Sequence, residues 1–389
     1  MIMKKIIGVS LAAVSLAFAQ QAPLPLQSPE VAGDGRVTFR FRDPNAQRVV
    51  VNVEGSTAPL VMQKSEGGVW TATTEPLAPE LYGYSFSADG VQLLDPSNSL
   101  IKPNLLGPSS EVHVPGANPM PWEPVGIQHG VVHHHFYKSS IVGDNRDFYV
   151  YTPPGYNPTA STLYPVLYLL HGYSDDASGW TAVGKANLIL DSLIAGGKAK
   201  PMIAVMPLGY GALEILQRTP VFGAPFNNAE LREKNYTKFR TALLDEVLPE
   251  VERQYKVSSN RDSRAIAGLS MGGAESLLTG LNRLDQFSWV GSFSAGGLSD
   301  DFAADFPQLT SPTPPQLHLL WIACGVDDHL ITINRNLVAW LKTKNIHLIQ
   351  IETPGMHTWM VWRRNLIDFA PLLFRDRTVR ALPTSIDEK

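Results

Sequence analysis

One serine in the second half of the chain is set between glycines in a pattern that could support nucleophilic catalysis. The pattern is Gly268-Leu269-Ser270-Met271-Gly272, which follows a short apolar run and precedes a helical stretch. A G-x-S-x-G at such a junction is typical of a nucleophile elbow, a strained turn that presents the serine hydroxyl at the carboxyl end of a sheet. We therefore predict that Ser270 attacks an acyl carbonyl and that the backbone N–H of Met271 faces the developing oxyanion.

A serine hydroxyl is a poor nucleophile until a base takes its proton, so a histidine should accompany Ser270. Of the later histidines, His318 and His347 stand at the starts of predicted strands, which is the wrong end of a parallel sheet. His329 directly follows two acids. His357 follows the last predicted strand and is therefore the predicted base.

Two adjacent acids are candidates for the group that orients the base. Asp327 and Asp328 follow an apolar strand, and either could face His357 while the other caps the helix that starts near Ile331. In hydrolases the acid commonly occupies the fourth position of a G-x-x-D turn. Here that position in Gly325-Val326-Asp327-Asp328 is Asp328, which we predict holds the imidazole in the required tautomer.

A second oxyanion donor is expected from the loop His171-Gly172-Tyr173, which follows the apolar strand at 165–170. In the topology that carries a nucleophile elbow, this loop lies beside the elbow, so the backbone N–H of Tyr173 is the predicted donor. Trp180 and Trp359 lie close to these motifs in the sequence, and we predict that they bind substrate, with core packing as the alternative for each.

Three consecutive histidines, His133 to His135, raise the question of a metal site. Consecutive residues of a strand point to opposite faces of the sheet, so the three rings cannot converge on one ion. No cluster of carboxylates and histidines accompanies them. The sequence therefore predicts neither a metal nor another cofactor.

The elements that must position these residues follow a short Pro-rich segment. Apolar strands then alternate with amphipathic helical stretches, which predicts a mainly parallel sheet with helices on both faces, the α/β-hydrolase architecture. The long, poorly periodic stretch 208–235 is typical of a loop that rims an active site. The predicted strands lie at 148–152, 165–170, 202–207, 264–268, 289–293, 317–323 and 347–353.

The first part of the chain has a different pattern, in which β-branched or alternating runs are separated by turn residues. It predicts a small immunoglobulin-like antiparallel β-sandwich. We divide the chain into a β-sandwich at 23–115, a Pro-rich linker at 116–128 and an α/β-hydrolase domain at 129–378.

The first residues predict a signal peptide at 1–19. Lys4 and Lys5 precede an apolar run that is too short to span a bilayer and ends in an A-x-A cleavage pattern. We expect cleavage after Ala19 and a product that is secreted or periplasmic and has no membrane segment. The net charge of −4 without a basic stripe argues against nucleic acid as a partner, and the single cysteine, Cys324, cannot form an internal disulfide.

Residues 129–374 resemble the "putative esterase" family, which includes feruloyl and acetylxylan esterases of carbohydrate esterase family one. The resemblance implies that Ser270, Asp328 and His357 are nucleophile, acid and base, and that Tyr173 and Met271 supply the oxyanion hole. The segments that carry the resemblance are VYTPPGY (150–156), YPVLYLLHGYSDDASGW (164–180), MPLGYG (206–211), RAIAGLSMGG (264–273), ACGVDDHL (323–330) and PGMHTWMVWRRNL (354–366).

The first part resembles the β-sandwich modules that precede glycogen-branching enzymes and several plant-polysaccharide esterases. Trp70, Tyr82 and Tyr84 could stack on sugars there, although aromatic residues of a small sandwich are usually core. The combination implies a secreted serine esterase acting on feruloyl esters of arabinoxylan, through an acyl-enzyme and without a cofactor. The alternatives are an acetylxylan esterase, an enterochelin-type siderophore esterase and a non-catalytic polysaccharide-binding protein.

Overall fold

The structure is a computed structural model that describes residues 25–123, 126–159, 161–310 and 316–375. The predicted signal peptide at 1–19 lies outside these residues. Within the described ranges, no helix combines the length and the apolar composition needed to cross a membrane.

Two antiparallel sheets form the first part of the chain. Their orders are β1-β2-β6-β5 and β4-β3-β7-β10-β9, with β8 beside β7. Residues in β2 alternate between buried and partly exposed, as expected for a strand that packs on one face. The strands are β1 (Glu30–Val31), β2 (Val37–Arg42), β3 (Val49–Val53), β4 (Leu60–Val61), β5 (Gln63–Lys64), β6 (Val69–Thr73), β7 (Glu80–Ala88), β8 (Val91–Leu93), β9 (Ile101–Lys102) and β10 (Ser109–Val114).

The two sheets enclose one apolar core, so this part is a β-sandwich. Phe39, Val51 and Phe86 are completely buried in it. Trp70 and Tyr84 belong to the same core, as does Tyr82. The proposed sugar-stacking role of these three rings is therefore not supported, because their faces pack inside the sandwich.

The second part of the chain is built on one eight-stranded sheet. Its order is β11-β12-β14-β13-β15-β16-β17-β18, and its strands are parallel from β14 onward, while β11 and β12 pair antiparallel. This is the predicted α/β-hydrolase fold. The strands are β11 (Val131–Lys138), β12 (Asn145–Thr152), β13 (Val166–Leu170), β14 (Ile203–Pro207), β15 (Arg264–Leu269), β16 (Trp289–Phe293), β17 (Leu319–Gly325) and β18 (Ile349–Thr353).

Helices cover both faces of this sheet. Neighbouring residues of β13 belong to two separate apolar cores, Tyr168 to one and Leu167 with Leu169 to the other, because successive side chains of a strand point to opposite faces. A π-helical turn at Leu243–Val247 joins α4 to α5. The helices are α1 (Gly179–Ala182), α2 (Ala186–Ala195), α3 (Ala224–Asn227), α4 (Ala229–Ala242), α5 (Leu248–Gln254), α6 (Met271–Gly280), α7 (Phe302–Asp305), α8 (Ile331–Thr343) and α9 (Trp359–Phe369).

Two sequence expectations need correction here. The stretch 208–235 is not one continuous loop, because α3 and the start of α4 lie within it, and the side chain of Asn228 caps α4 by accepting from the Leu231 N–H. Strand β11 is missing from the predicted strands, although the opposite-face geometry expected of the three histidines presupposes a strand there. It contains the three histidines, whose rings contact different partners: His134 bonds Asp147 and His135 bonds Tyr255.

A buried ion pair joins the sandwich to the hydrolase sheet. Arg363 on α9 contacts Glu80 on β7, with 2.9 Å between Nη2 and Oε1, and donates to the Leu81 carbonyl. Both charged side chains are about 1% exposed, and Arg364 bonds the other oxygen of Glu80. Trp122 from the predicted linker is also buried, beneath the Arg363 guanidinium. The two parts are therefore packed together rather than loosely tethered.

We expect Glu80→Ala to lower the free energy of unfolding by about 3–5 kcal/mol, because it leaves the Arg363 charge buried without its partner. Urea unfolding followed by tryptophan fluorescence measures this change. The matched control is Glu30→Ala, which removes a partly exposed partner of Arg40 within the same sandwich. The control should cost no more than about 1 kcal/mol. Equal losses of unfolding free energy in the two variants would show that the buried Glu80–Arg363 pair stabilises the protein no more than an exposed ion pair does.

Candidate active site

Ser270 lies in the turn between β15 and α6. Its backbone has φ 52° and ψ −116°, a conformation that non-glycine residues rarely adopt. The flanking glycines allow the turn to pack: a Cβ on Gly268 would lie 2.3 Å from the Gly272 carbonyl oxygen, and one on Gly272 would lie 2.4 Å from the His171 carbonyl oxygen. The sequence motif thus forms the predicted elbow.

The structure brings the three predicted triad residues together. The Nε2 atom of His357 is 2.9 Å from Oγ of Ser270, and its Nδ1 atom is 2.8 Å from Oδ2 of Asp328. The acid follows β17 and the histidine follows β18, so the carboxyl ends of neighbouring parallel strands supply both groups. This arrangement allows His357 to accept the Ser270 proton while Asp328 holds the ring.

Asp328, rather than Asp327, faces the histidine. Its side chain is buried, and its second oxygen, Oδ1, accepts the Leu330 N–H at 2.8 Å. Burial by itself raises the pKa of Asp328, but the hydrogen bond with His357 and the Leu330 N–H outweigh it and hold the pKa below its usual range. Asp327 is exposed on the other side of the turn.

A second imidazole ring, that of His329, lies beside the triad. It is 4.8 Å from the His357 ring, centroid to centroid, and although its side chain is largely exposed, partial desolvation and the neighbouring His357 lower its pKa. The ligand atoms of Asp328, His329 and His357 lie within 4.8 Å of one another, which is close enough for a metal ion. Both nitrogens of His357 already bond Asp328 and Ser270, so in this arrangement neither is free to bind a metal ion.

Two backbone N–H groups lie near the nucleophile. Met271 is the first residue of α6, so its N–H has no partner within the helix. The loop that carries Tyr173 approaches from β13, and a Cβ on Gly172 would lie 3.3 Å from the Ser270 Cβ. The placement is consistent with the two predicted oxyanion donors, whose role stays a prediction.

His171 holds this loop from the inside. Its Nδ1 donates to the Gly172 carbonyl at 2.8 Å and its Nε2 accepts from the Gly209 N–H at 2.8 Å, which fixes a neutral ring. Burial lowers the pKa of His171 to about 4, so the ring stays uncharged at neutral pH. No sequence motif indicates this supporting role.

The triad opens into a cavity of about 670 Å³. One wall is aromatic: the Tyr173 ring lies 5.6 Å from that of Phe222 and 5.1 Å from that of Phe226. Another part of the lining is polar and comes from the sandwich, which the sequence did not indicate. It comprises Glu54, Lys102, Asn104 and Ser109.

The predicted tryptophan contacts differ in outcome. Trp359 lines the cavity, although only 3% of its surface is exposed. Trp180 is completely buried, and its indole N–H donates to the Leu170 carbonyl. The expectation that Trp180 binds substrate is therefore not supported, because the whole ring is buried in the hydrophobic core.

The family described as "Putative esterase" matches residues 139–373. The "Endo-1,4-beta-xylanase/feruloyl esterase" of Xylanibacter ruminicola is 30% identical to this chain over 357 residues, which cover 89% of this chain and 46% of that protein. This chain therefore spans about half the length of that curated relative.

The chain is also similar to solved structures, among them the following two. A CE1 ferulic acid esterase from Anaeromyces mucronatus aligns with a TM-score of 0.55 and 25% identity, over 65% of this chain and 93% of that one. The enterochelin esterase from Shigella flexneri aligns with a TM-score of 0.66 and 21% identity, over 88% of this chain and 94% of that one. At 21% identity, the similarity to the enterochelin esterase shows a shared fold only.

Proposed function

The chain belongs to the "Putative esterase" family, and from this premise we propose that it is a serine carboxylesterase that hydrolyses feruloyl and related hydroxycinnamoyl esters of arabinoxylan. The observation that carries the proposal is the Ser270–His357–Asp328 relay, which opens into a cavity with an aromatic wall. The similarity to the xylanase/feruloyl esterase of Xylanibacter ruminicola supports the same substrate class.

The proposed reaction has two steps. His357 accepts the proton of Ser270 as the hydroxyl oxygen attacks the ester carbonyl, and the N–H groups of Tyr173 and Met271 stabilise the oxyanion. When the tetrahedral intermediate collapses, His357 gives its proton to the departing sugar hydroxyl, which leaves a feruloyl ester on Ser270. Water then attacks this ester with His357 as base, and the acid is released.

The aromatic wall distinguishes the proposed substrate from acetylated xylan. A planar cinnamoyl group stacks on aromatic rings, whereas the acetyl group of acetylated xylan has no ring to place there. An enterochelin-type trilactone would present catechol rings to the same cavity, whose polar wall carries Lys102. A non-catalytic binding protein would have no need of a complete relay.

Export fits a polysaccharide substrate, which lies outside the cell. The predicted signal peptide at 1–19, with cleavage after Ala19, would deliver the enzyme there. This part of the proposal depends on sequence pattern alone, because these residues lie outside the described ranges.

Phe222→Ala tests the acyl group. The Phe222 side chain is 70% exposed at the rim, so its removal should cost little stability. We expect kcat/KM for methyl ferulate to fall about 3- to 10-fold through lost ring contact, with kcat/KM for ethyl acetate unchanged. The measurement is initial rates of acid release from both esters.

The matched control is Phe136→Ala, which removes a 77% exposed ring from strand β11. It should leave both rates unchanged. Wild-type enzyme that cleaves ethyl acetate or a catecholate trilactone with a higher kcat/KM than methyl ferulate would reject the feruloyl assignment in favour of that rival.

A further inference from the structure

The loop that carries the Tyr173 N–H is held from two sides, and each side belongs to a different part of the chain. On the inner side, the hydrolase domain binds the carbonyls at its ends. His171 donates to the Gly172 carbonyl at 2.8 Å, and the Tyr210 hydroxyl donates to the Asp175 carbonyl at 2.9 Å. These contacts hold the backbone at the two ends of the loop and leave the Ser174 side chain to other partners.

The outer side is held by the sandwich, through the segment that follows β9. The Asn104 amide Nδ2 donates to Ser174 Oγ at 2.9 Å and to Asp175 Oδ1 at 3.1 Å. The next backbone N–H, that of Leu105, donates to the Ser174 carbonyl at 2.7 Å. The sandwich therefore binds both the side chain and the backbone of the residue that follows Tyr173.

Ser174 needs such support because of its backbone. Its φ is 70°, in the left-handed region that favours glycine, and it is buried. A non-glycine residue keeps such a conformation only where its surroundings hold it. If Ser174 relaxed toward negative φ, the neighbouring Tyr173 would move with it, and its N–H would no longer point at a fixed place.

From these contacts we infer that Asn104, supplied by the β-sandwich, is a positioning residue of the oxyanion hole. The inference rests on the proposed function, since it requires the Tyr173 N–H to be an oxyanion donor. It gives the sandwich a part in the rate of the chemical step, separate from any binding of polysaccharide. Small soluble esters should reveal this role as clearly as polymeric substrate.

The isosteric variant Asn104→Asp is the sharpest test. Oδ1 of Asn104 also accepts the N–H groups of Leu106 and Gly107, at 3.0 and 2.9 Å. An aspartate retains these acceptor contacts and so preserves the local turn. It lacks the amide donor and places a carboxylate beside that of Asp175, so it loses the contact to Asp175, and the contact to Ser174 survives only if the Ser174 hydroxyl turns to donate.

We expect kcat of Asn104→Asp to fall about 10- to 100-fold on both methyl ferulate and p-nitrophenyl acetate, with KM within about twofold, because the oxyanion donor matters in the transition state rather than in the substrate complex. Inhibition by phenylboronic acid, which forms a tetrahedral adduct on the serine, should weaken by a similar factor. The matched control is Asn45→Ala, whose side chain is exposed on the same sandwich, and it should change neither.

Ser174→Ala removes the acceptor from the other side of the same hydrogen bond and serves if Asn104→Asp does not fold. It should also lower kcat, but by a smaller factor than Asn104→Asp. A kcat within twofold of wild type in the folded variants, or a loss confined to KM, would overturn the inference. Failure of the feruloyl assignment would instead appear in wild type as a preference for another ester, with the effect on p-nitrophenyl acetate intact.

Discussion

Ser270→Ala is expected to reduce kcat for every ester that the enzyme cleaves by about 10⁵- to 10⁶-fold. The variant lacks the oxygen that forms the acyl-enzyme, while the oxyanion donors and the cavity remain. Binding of substrate should therefore persist, with little change in the dissociation constant of a feruloylated oligosaccharide. Stopped-flow release of p-nitrophenol from p-nitrophenyl acetate measures the loss directly, because the wild type should show a burst equal to its active-site concentration and the variant none.

A matched control for this variant is Ser56→Ala, which removes an exposed hydroxyl from the sandwich and should keep full activity. Thermal unfolding should show that Ser270→Ala is folded, since the change removes one hydroxyl and leaves the elbow glycines in place. Retention of a tenth or more of the wild-type kcat by the folded variant would eliminate Ser270 as nucleophile, and the proposed function with it.

The parts of the site that could be predicted from the sequence are those fixed by strand ends. Ser270, Asp328 and His357 each follow a strand of the parallel sheet, and carboxyl ends of parallel strands meet at one edge. Once the buried strands are recognised in the sequence, the three side chains can be placed at the same edge of the sheet. The choice between Asp327 and Asp328 depended on one turn position, and the structure supports it with the 2.8 Å contact to His357.

The parts that could not be predicted depend on contacts between distant segments. Asn104 stands in a turn after the two-residue strand β9, and nothing in its local pattern shows that it contacts a loop 70 residues later in the chain. Trp180 was predicted as a substrate contact because it lies near a motif in the sequence, but the structure buries it. Proximity in sequence does not distinguish a ring in the core from a ring in the cavity. Strand β11 was missed because three histidines interrupt its strand-forming residues and the strand is largely exposed at the sheet edge, so it lacks the continuous apolar run of the buried strands.

The second large effect is expected at the acid: Asp328→Asn should lower kcat by about 10⁴-fold. The carboxylate accepts the Nδ1–H of His357, which leaves Nε2 free to accept the Ser270 proton. An asparagine can place its amide donor at Nδ1 and so favour the opposite tautomer, in which Nε2 carries a proton and cannot act as base. The side chain keeps its shape, and its oxygen can still accept the Leu330 N–H, so the fold should be preserved.

Asp327→Asn is the control for this variant, because it makes the same chemical change one residue away on an exposed side chain. It should keep kcat within about twofold of wild type, since an exposed carboxylate at that distance is screened by water. Steady-state rates on methyl ferulate and p-nitrophenyl acetate compare the two. A larger loss in Asp327→Asn than in Asp328→Asn would mean that the turn rearranges in solution to present the other acid. Equal, small losses would mean that His357 needs no orienting carboxylate, and the relay would then reduce to a serine–histidine pair.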